Sequence, residues 1–419
     1  MTTAIQAIAP STASSLTAPA PLPSENIYAS LFLSYIHQSL AESLVAVHSV
    51  TNKLSDEERV QACHILDFGL RTLAAWPQAR DLTIALAPYV ERSGHWGSWR
   101  RQLERALELA DLQSDNESKI SLLMLRARIA QRQGWLQETI FTYRRVILLA
   151  RQSGNRFDEA RACTNLGYLF IDAGCYWRAA VLCHHALALF EQLQNAHGLA
   201  HTHNHLGLLY TRQGDYAQAE QALNRACALW QRAQDHHRLF LVYTNLGLLY
   251  IECGQPDQAL NYLEMARAEA EISGEQVWIA KTWNNLGLVQ IKRGDLEQAE
   301  SYFTQAHAIF STFDQRLELA NTQHNLGLLY QYRAQWQAAR PLLESAQTAF
   351  ADIGNRVEEM KVLVALTACA AVAAGFTVSS EHRQRLAFLL EQETNHKLRQ
   401  LYLTYCTAYL AYWDGEKPQ

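Results

Sequence analysis

Apolar side chains return at helical intervals along 161–172. Cys163, Leu166, Gly167 and Phe170 fall on one side of a helix that turns about 100° per residue, and Arg161, Asn165, Tyr168 and Asp172 fall on the opposite side. Ala173-Gly174 ends the stretch, because glycine favours the left-handed conformation that closes a helix. A second apolar-periodic stretch occupies 177–192, and Asn195, His197 and Gly198 mark the loop after it. The pattern predicts helix, tight turn, helix, with the two apolar faces buried on each other.

The pattern returns every 40 residues. Asn165-Leu166-Gly167-Tyr168 is followed by His205-Leu206-Gly207-Leu208, Asn245-Leu246-Gly247-Leu248, Asn285-Leu286-Gly287-Leu288 and Asn325-Leu326-Gly327-Leu328. A fixed period of this size predicts a stacked repeat array rather than one globular core, and shifts the expected role from chemistry toward holding a partner. The turn glycine recurs at Gly134, Gly174, Gly214, Gly254 and Gly294, with Ala334 in its place in the last clear unit. Asp215, Gln255 and Asp295 stand where they can cap the next helix. Small residues hold two columns of the second helix: Ala179, Ala219, Ala259, Ala299 and Ala339, then Ala186, Ala226, Ala266, Ala306 and Ala346. They let two helices approach closely, as do the glycines of the Leu-Gly pairs. A mid-helix glycine costs about 1 kcal/mol relative to alanine, so its recurrence predicts a packing reason.

Backward, Ala127 and Gly134 keep the phase. Ala87, Gly94 and Ala106 keep it more weakly, and Pro88 is expected to disturb a helix there. Forward, Leu366 keeps it with Thr367 in place of glycine, and helices at 381–393 and 396–412 read as a cap. Degenerate ends suit a solenoid, whose terminal units face water. The organisation read from this is a disordered tail over 1–25, degenerate helical repeats over 26–118, the main array over 119–353, and a degenerate repeat with capping helices over 354–413.

Composition narrows the class. The chain has 419 residues, 49% of them hydrophobic, with only 19 Gly and 9 Pro, so breakers are too sparse to interrupt long helices. A net charge of -5 argues against generic nucleic-acid or anionic-membrane binding. The longest apolar run, 362–376, falls short of the roughly 20 residues a membrane span needs, and Thr367 interrupts it. Residues 1–25 are rich in Ala, Pro, Ser and Thr without a basic start or an apolar centre, unlike a secretion signal. The 8 cysteines form no Cys-x-x-Cys and read as small apolar residues of a reducing compartment, so a cytoplasmic location is expected.

The repeat resembles the tetratricopeptide repeat. Tyr243, Leu246-Gly247, Tyr250, Ala259, Leu263 and Ala266 match that family's unit in full. Trp283, Leu286-Gly287, Ala299, Phe303 and Ala306 match it too, with Gln290 departing at the Tyr position. The resemblance covers 159–352. The ordinary unit has about 34 residues; the longer one here is similar to those of kinesin light chain, Pins-type adaptors, Rap-type sensors and the sensor arms of STAND signalling NTPases. The resemblance implies an all-α fold, a right-handed superhelical solenoid of antiparallel helix pairs, with the first helix of each pair lining a concave wall. On that wall it places a ladder of Asn165, His205, Asn245, Asn285 and Asn325 beside Leu208, Leu248, Leu288 and Leu328, with Arg212, Lys281 and Lys292 adding charge. In such proteins this asparagine clamps a peptide backbone. An amide both donates and accepts, so it can hold a peptide bond without reading its side chain. The same amides could instead bond between neighbouring repeats and align the stack.

His201 and His205 stand i,i+4 on one helix, a spacing that can chelate zinc, but no third ligand has a suitable spacing, and no metal or cofactor is expected. Neither a Gly-x-x-x-x-Gly-Lys-Ser/Thr loop nor a Gly-x-Ser-x-Gly occurs. The expected function is a non-enzymatic scaffold or adaptor for a protein or peptide partner, with no nucleic acid and no membrane. Two other classes stay open: a ligand- or peptide-sensing regulator, and a regulatory subunit of a separately encoded signalling or defence enzyme.

Overall fold

The computed structural model describes residues 25–49, 54–93, 96–133, 135–313, 315–353, 355–372 and 380–392. All regular structure among them is helical. The readings made for 1–24, Gly94, Gly134, Cys406 and the helix at 396–412 lie outside the described residues. The chain divides into two units, Met1–Ser114 and Asp115–Gln419.

The first unit holds α1 (Glu25–Ser49), α2 (Asp56–Gly69), α3 (Trp76–Ser93) and α4 (Trp96–Leu112). Leu40, Leu66, Leu82 and Leu86 are fully buried among them. Ser55 and Glu58 form a reciprocal cap on α2, satisfying two backbone donors at once. The expected disturbance at Pro88 does not occur, since α3 runs through it to Ser93. Pro88 lies on the exposed side of α3, beside exposed Ile84. Water can reach the carbonyl that loses its donor there, and the buried Leu82, Leu86 and Val90 hold the opposite face.

The second unit is a right-handed superhelical solenoid of antiparallel helix pairs. α5 (Asn116–Arg132) pairs with α6 (Leu136–Gln152), α7 (Arg156–Asp172) with α8 (Tyr176–Gln192), and α9 (Ala196–Gln213) with α10 (Tyr216–Ala233). α11 (His236–Glu252) pairs with α12 (Pro256–Ser273), α13 (Gln276–Arg293) with α14 (Leu296–Thr312), and α15 (Arg316–Tyr332) with α16 (Trp336–Ile353). α17 (Arg356–Val372) packs on α16, and α18 (Ser380–Gln392) packs on α17.

The recurring glycines have the packing reason their helix cost demands. A Cβ on Gly247 would lie 2.6 Å from Leu263, one on Gly287 2.5 Å from Phe303, and one on Gly327 2.6 Å from Leu343. Each glycine is thus a notch on the first helix that receives a large side chain of the second. Both alanine columns of the second helices are fully buried. Asp115, Asn155, Asn195, Asp215, Asp235 and Asp295 each accept a hydrogen bond from the backbone N–H three residues on. Gln255 does not cap its helix as expected. Its side chain is one methylene too long for the tight cap, and Pro256 supplies the first helical residue instead. Gly214, Gly254 and Gly294 close their helices at φ 81°, 70° and 82°, and Ala334 is held at φ 56° in the same role.

Candidate interaction groove

Curvature decides which helices face a partner. Successive first helices touch one another directly, α7 on α9, α9 on α11, α11 on α13 and α13 on α15, whereas successive second helices come less close. The closer layer is the inside of the curve, so α7, α9, α11, α13 and α15 form the inner wall. The outer layer splays, opening a cleft of about 580 Å³ between α10 and α12, lined among others by Tyr243, Tyr250 and Tyr262.

The asparagine column lies at the joints between first helices. Asn165, Asn245, Asn285 and Asn325 are half-buried, and His205 is buried. The Asn245 amide donates to Asn204 Oδ1 at 2.8 Å, and that of Asn325 donates to Asn284 Oδ1 at 3.2 Å. These bonds cross from one repeat to the next, so two members of the ladder align the stack. Each still keeps one N–H and its own carbonyl oxygen for another partner. Thr164 and Thr202 meet hydroxyl to hydroxyl at 2.9 Å, and Thr322 donates to Asn284 Oδ1 at 3.1 Å. The polar residues on the near side of each joint, Thr164, Asn204 and Asn284, escaped the sequence reading. Their signal was a recurring polar residue directly before the ladder residue.

Leu208, Leu248, Leu288 and Leu328 are half-buried along the same wall. Leu288 packs at the edge of Phe303, Leu326 and Leu329, and Leu328 at the edge of Met360, Leu363 and Leu366. Leu288 and Leu328 thus each seal a joint with one side and offer the other. Arg212 and Lys292 are exposed. Lys281 is tied to Glu318 of the next repeat at 2.6 Å, so its charge is already opposed within the wall.

Charge and burial are most strongly coupled at α7 and α9. Tyr168 packs its ring 4.8 Å from His205, which lies 4.5 Å from His201. Asp172, the last residue of α7, is exposed to solvent as a whole residue. Loss of water raises its carboxyl to about 6, against the pull of the Arg212 charge and the Tyr168 hydrogen bond. Burial, helped by the Asp172 charge, raises the Tyr168 phenol to about 12. Burial also drives the His205 imidazole down to about 4, and its Nδ1 has no hydrogen-bond partner among the described residues. Among the described residues no group of three metal-ligating side chains comes together, and no helix is long and apolar enough to cross a membrane.

A solenoid of helix pairs with a polar, jointed inner wall defines the class: an α-helical repeat protein. The tetratricopeptide-repeat family model matches residues 158–232, 198–271 and 278–352, so this part of the chain carries repeats of that type. Its fold is similar to that of the apo quorum sensor NprR from B. thuringiensis, with 16% identity, 87% of this chain and 99% of that chain covered, and a TM-score of 0.54. It is also similar to a Rap protein complexed with competence and sporulation factor, at 12% identity, 90% and 99% coverage, and a TM-score of 0.53. A third similar structure is a signal transduction ATPase with numerous domains and a tetratricopeptide repeat sensor from Pyrococcus horikoshii. There the identity is 12%, the coverage 85% of this chain and 55% of that chain, and the TM-score 0.51. No curated protein matches the sequence.

Proposed function

We propose that the inner wall captures an extended segment of a partner protein. The observation that carries this reading is the half-buried column of Leu208, Leu248, Leu288 and Leu328 beside the asparagine ladder, repeated along five touching helices. A half-buried leucine leaves apolar surface to be covered, worth about 25 cal/mol per Å² removed from water. Neighbouring helices stand roughly 8–10 Å apart, a step an extended chain covers in about three residues. Alternate residues of the segment would enter the leucine sites, and amides would take main-chain groups between them. Asn245 and Asn325 are oriented for this by their bonds to Asn204 and Asn284, which lowers the entropy lost on binding. The similar fold of NprR, which has been solved in complex with its cognate peptide, supports the peptide reading at the level of architecture.

The test is partner capture from the native cell with two variants. One changes Leu208, Leu248, Leu288 and Leu328 to Ser, and the other changes Asn245, Asn285 and Asn325 to Ala. Helical circular dichroism confirms folding of each. A partner held by the wild type and lost from the leucine variant is the expected result. A partner retained by both variants would move binding to the outer layer and sink the proposal.

A further inference from the structure

Of the α9 histidines only His205 stands in the ladder, none joins a group of three metal-ligating side chains among the described residues, and their surroundings give them another task. His197, His201 and His205 stand at i, i+4 and i+8 on the inner face of α9, with ring centroids 6.5 Å and 4.5 Å apart along the row. At the same three positions the next repeat carries His237, Leu241 and Asn245, and the one after it Val277, Lys281 and Asn285. Only α9 departs to three imidazoles. A local break of a repeat rule marks a place selected for something other than stacking.

The charged groups around the row are Arg161 and Arg238, with the acids Asp158 and Asp235 beside them. On α7, Arg161 faces it, held by Asp158 at 2.9 Å and lying over the Phe157 ring. On α11, Arg238 faces it, and its guanidinium, half-buried, makes no hydrogen bond or ion pair among the described residues. The acid that acts on Arg238 is Asp235, which already accepts the Arg238 backbone N–H as the cap of α11. The phenol of Tyr168 on α7 is neutral, so it opposes none of this charge. Burial is the main cause that holds His197 and His201 below their ordinary range; the Arg238 and Arg161 charges push the same way, and Asp235 opposes them at His197. Burial likewise lowers Arg238, opposed by Asp235. A half-buried guanidinium that Asp235 opposes only at a distance, with no direct ion pair, is left under-compensated, and an anion is the group that relieves it.

We infer that His197, His201, Arg161 and Arg238 form an oxyanion site on the inner wall, which takes a carboxylate or phosphate group and binds it with proton uptake by the imidazoles. The inference rests on the inner wall being the binding face, and it adds an acidic group to the segment held there. The sign follows from linkage. The empty site holds neutral imidazoles, an anion favours their protonated form, and so affinity falls as pH rises.

The test uses the full chain labelled with nitrogen-15 at histidine, with His197→Gln and His201→Gln to assign the two rings. Sulfate, whose charge is constant near neutrality, stands for the phosphate source, and succinate for the carboxylate source. In the wild type, one or both anions should move the His197 and His201 nitrogens saturably toward the imidazolium pattern. His203 and His324 should not move. Affinity for sulfate should be about tenfold tighter at about pH 6 than at about pH 8, the linkage of roughly one proton. Arg238→Gln should weaken binding by about tenfold, while Arg238→Lys, which keeps the charge, should retain most of it. An equal response in Arg238→Gln, a uniform shift of every histidine, or no shift with either anion would each overturn the inference. Failure of the groove reading looks different. A partner lost from the four-leucine variant but kept by Arg238→Gln leaves the groove standing without the anion site. Saturable sulfate binding with a partner indifferent to the four leucines does the reverse.

Discussion

Gly247 and Ala334 occupy opposite sides of one rule about side-chain bulk. At Gly247 the helix would prefer alanine, but a methyl group there meets Leu263 at 2.6 Å. Gly247→Ala should therefore destabilise the solenoid by about 1–3 kcal/mol, the range for overpacking, despite its better helix propensity. At Ala334 the chain has φ 56°, where a β-carbon crowds the following carbonyl. Ala334→Gly should stabilise by about 0.5–1 kcal/mol, because the native conformation costs glycine little even after its larger entropy loss. Urea melts of the two variants beside the wild type measure both signs at once. If Gly247→Ala melts like the wild type, the notch is not a tight contact. The glycine's role was legible in the sequence as a recurring cost that needed a cause. Which side chain fills the notch was not, because it comes from the partner helix, 16 residues downstream of the glycine as in Gly247 and Leu263.

On the scale of an element, α9 and α15 bury histidines that cannot take a charge. His205 and His324 are each 8% exposed, and burial holds both imidazoles down to about 4. His203 on α9 is lowered to about 4 as well, by burial first and by the Arg225 charge second. The folded state thus binds fewer protons than the unfolded chain between about pH 4 and the ordinary imidazole value near 6.5. Stability from these groups is complete above the unfolded value and is lost as pH falls toward 4, at about 1.4 kcal/mol per group and pH unit within that window. Asp172, raised to about 6, works in the opposite direction and offsets part of the loss. The expected outcome is a lower melting temperature at about pH 5 than at about pH 7.5, with a smaller difference in His324→Gln. An identical pH dependence in that variant would mean that His324 is protonated in the folded chain. Helix periodicity set His205 apart from the apolar face of its own helix, yet its burial comes from Tyr168 of the preceding repeat. One helix, read alone, does not reveal what its neighbour covers.

At the scale of the whole array, each repeat touches chiefly its own partner helix and the next unit. Stability is then close to a sum of repeat and interface terms. Deleting 236–275, one full 40-residue unit, should leave a folded, shorter solenoid with unchanged helicity per residue. Deleting 236–255, one helix and its turn, should expose the Leu263, Ala266 and Ala270 face of α12 and collapse the fold. Circular dichroism and a thermal melt separate the two outcomes. Equal stability of both deletions would contradict a pairwise stack.

Sequence alone determined the period, the helix pairs and the side each helix buries. These follow from local periodicity and from a repeat that forces every unit to meet the next in the same way. Tertiary structure alone decided how the wall residues are used. It joined Asn245 to Asn204, tied Lys281 to Glu318, and left Arg238 without a direct ion pair beside the α9 histidines. Those outcomes depend on side chains about 40 positions apart meeting across a joint, and on which of them finds a partner first. Neither hydrophobic spacing nor the period encodes that choice.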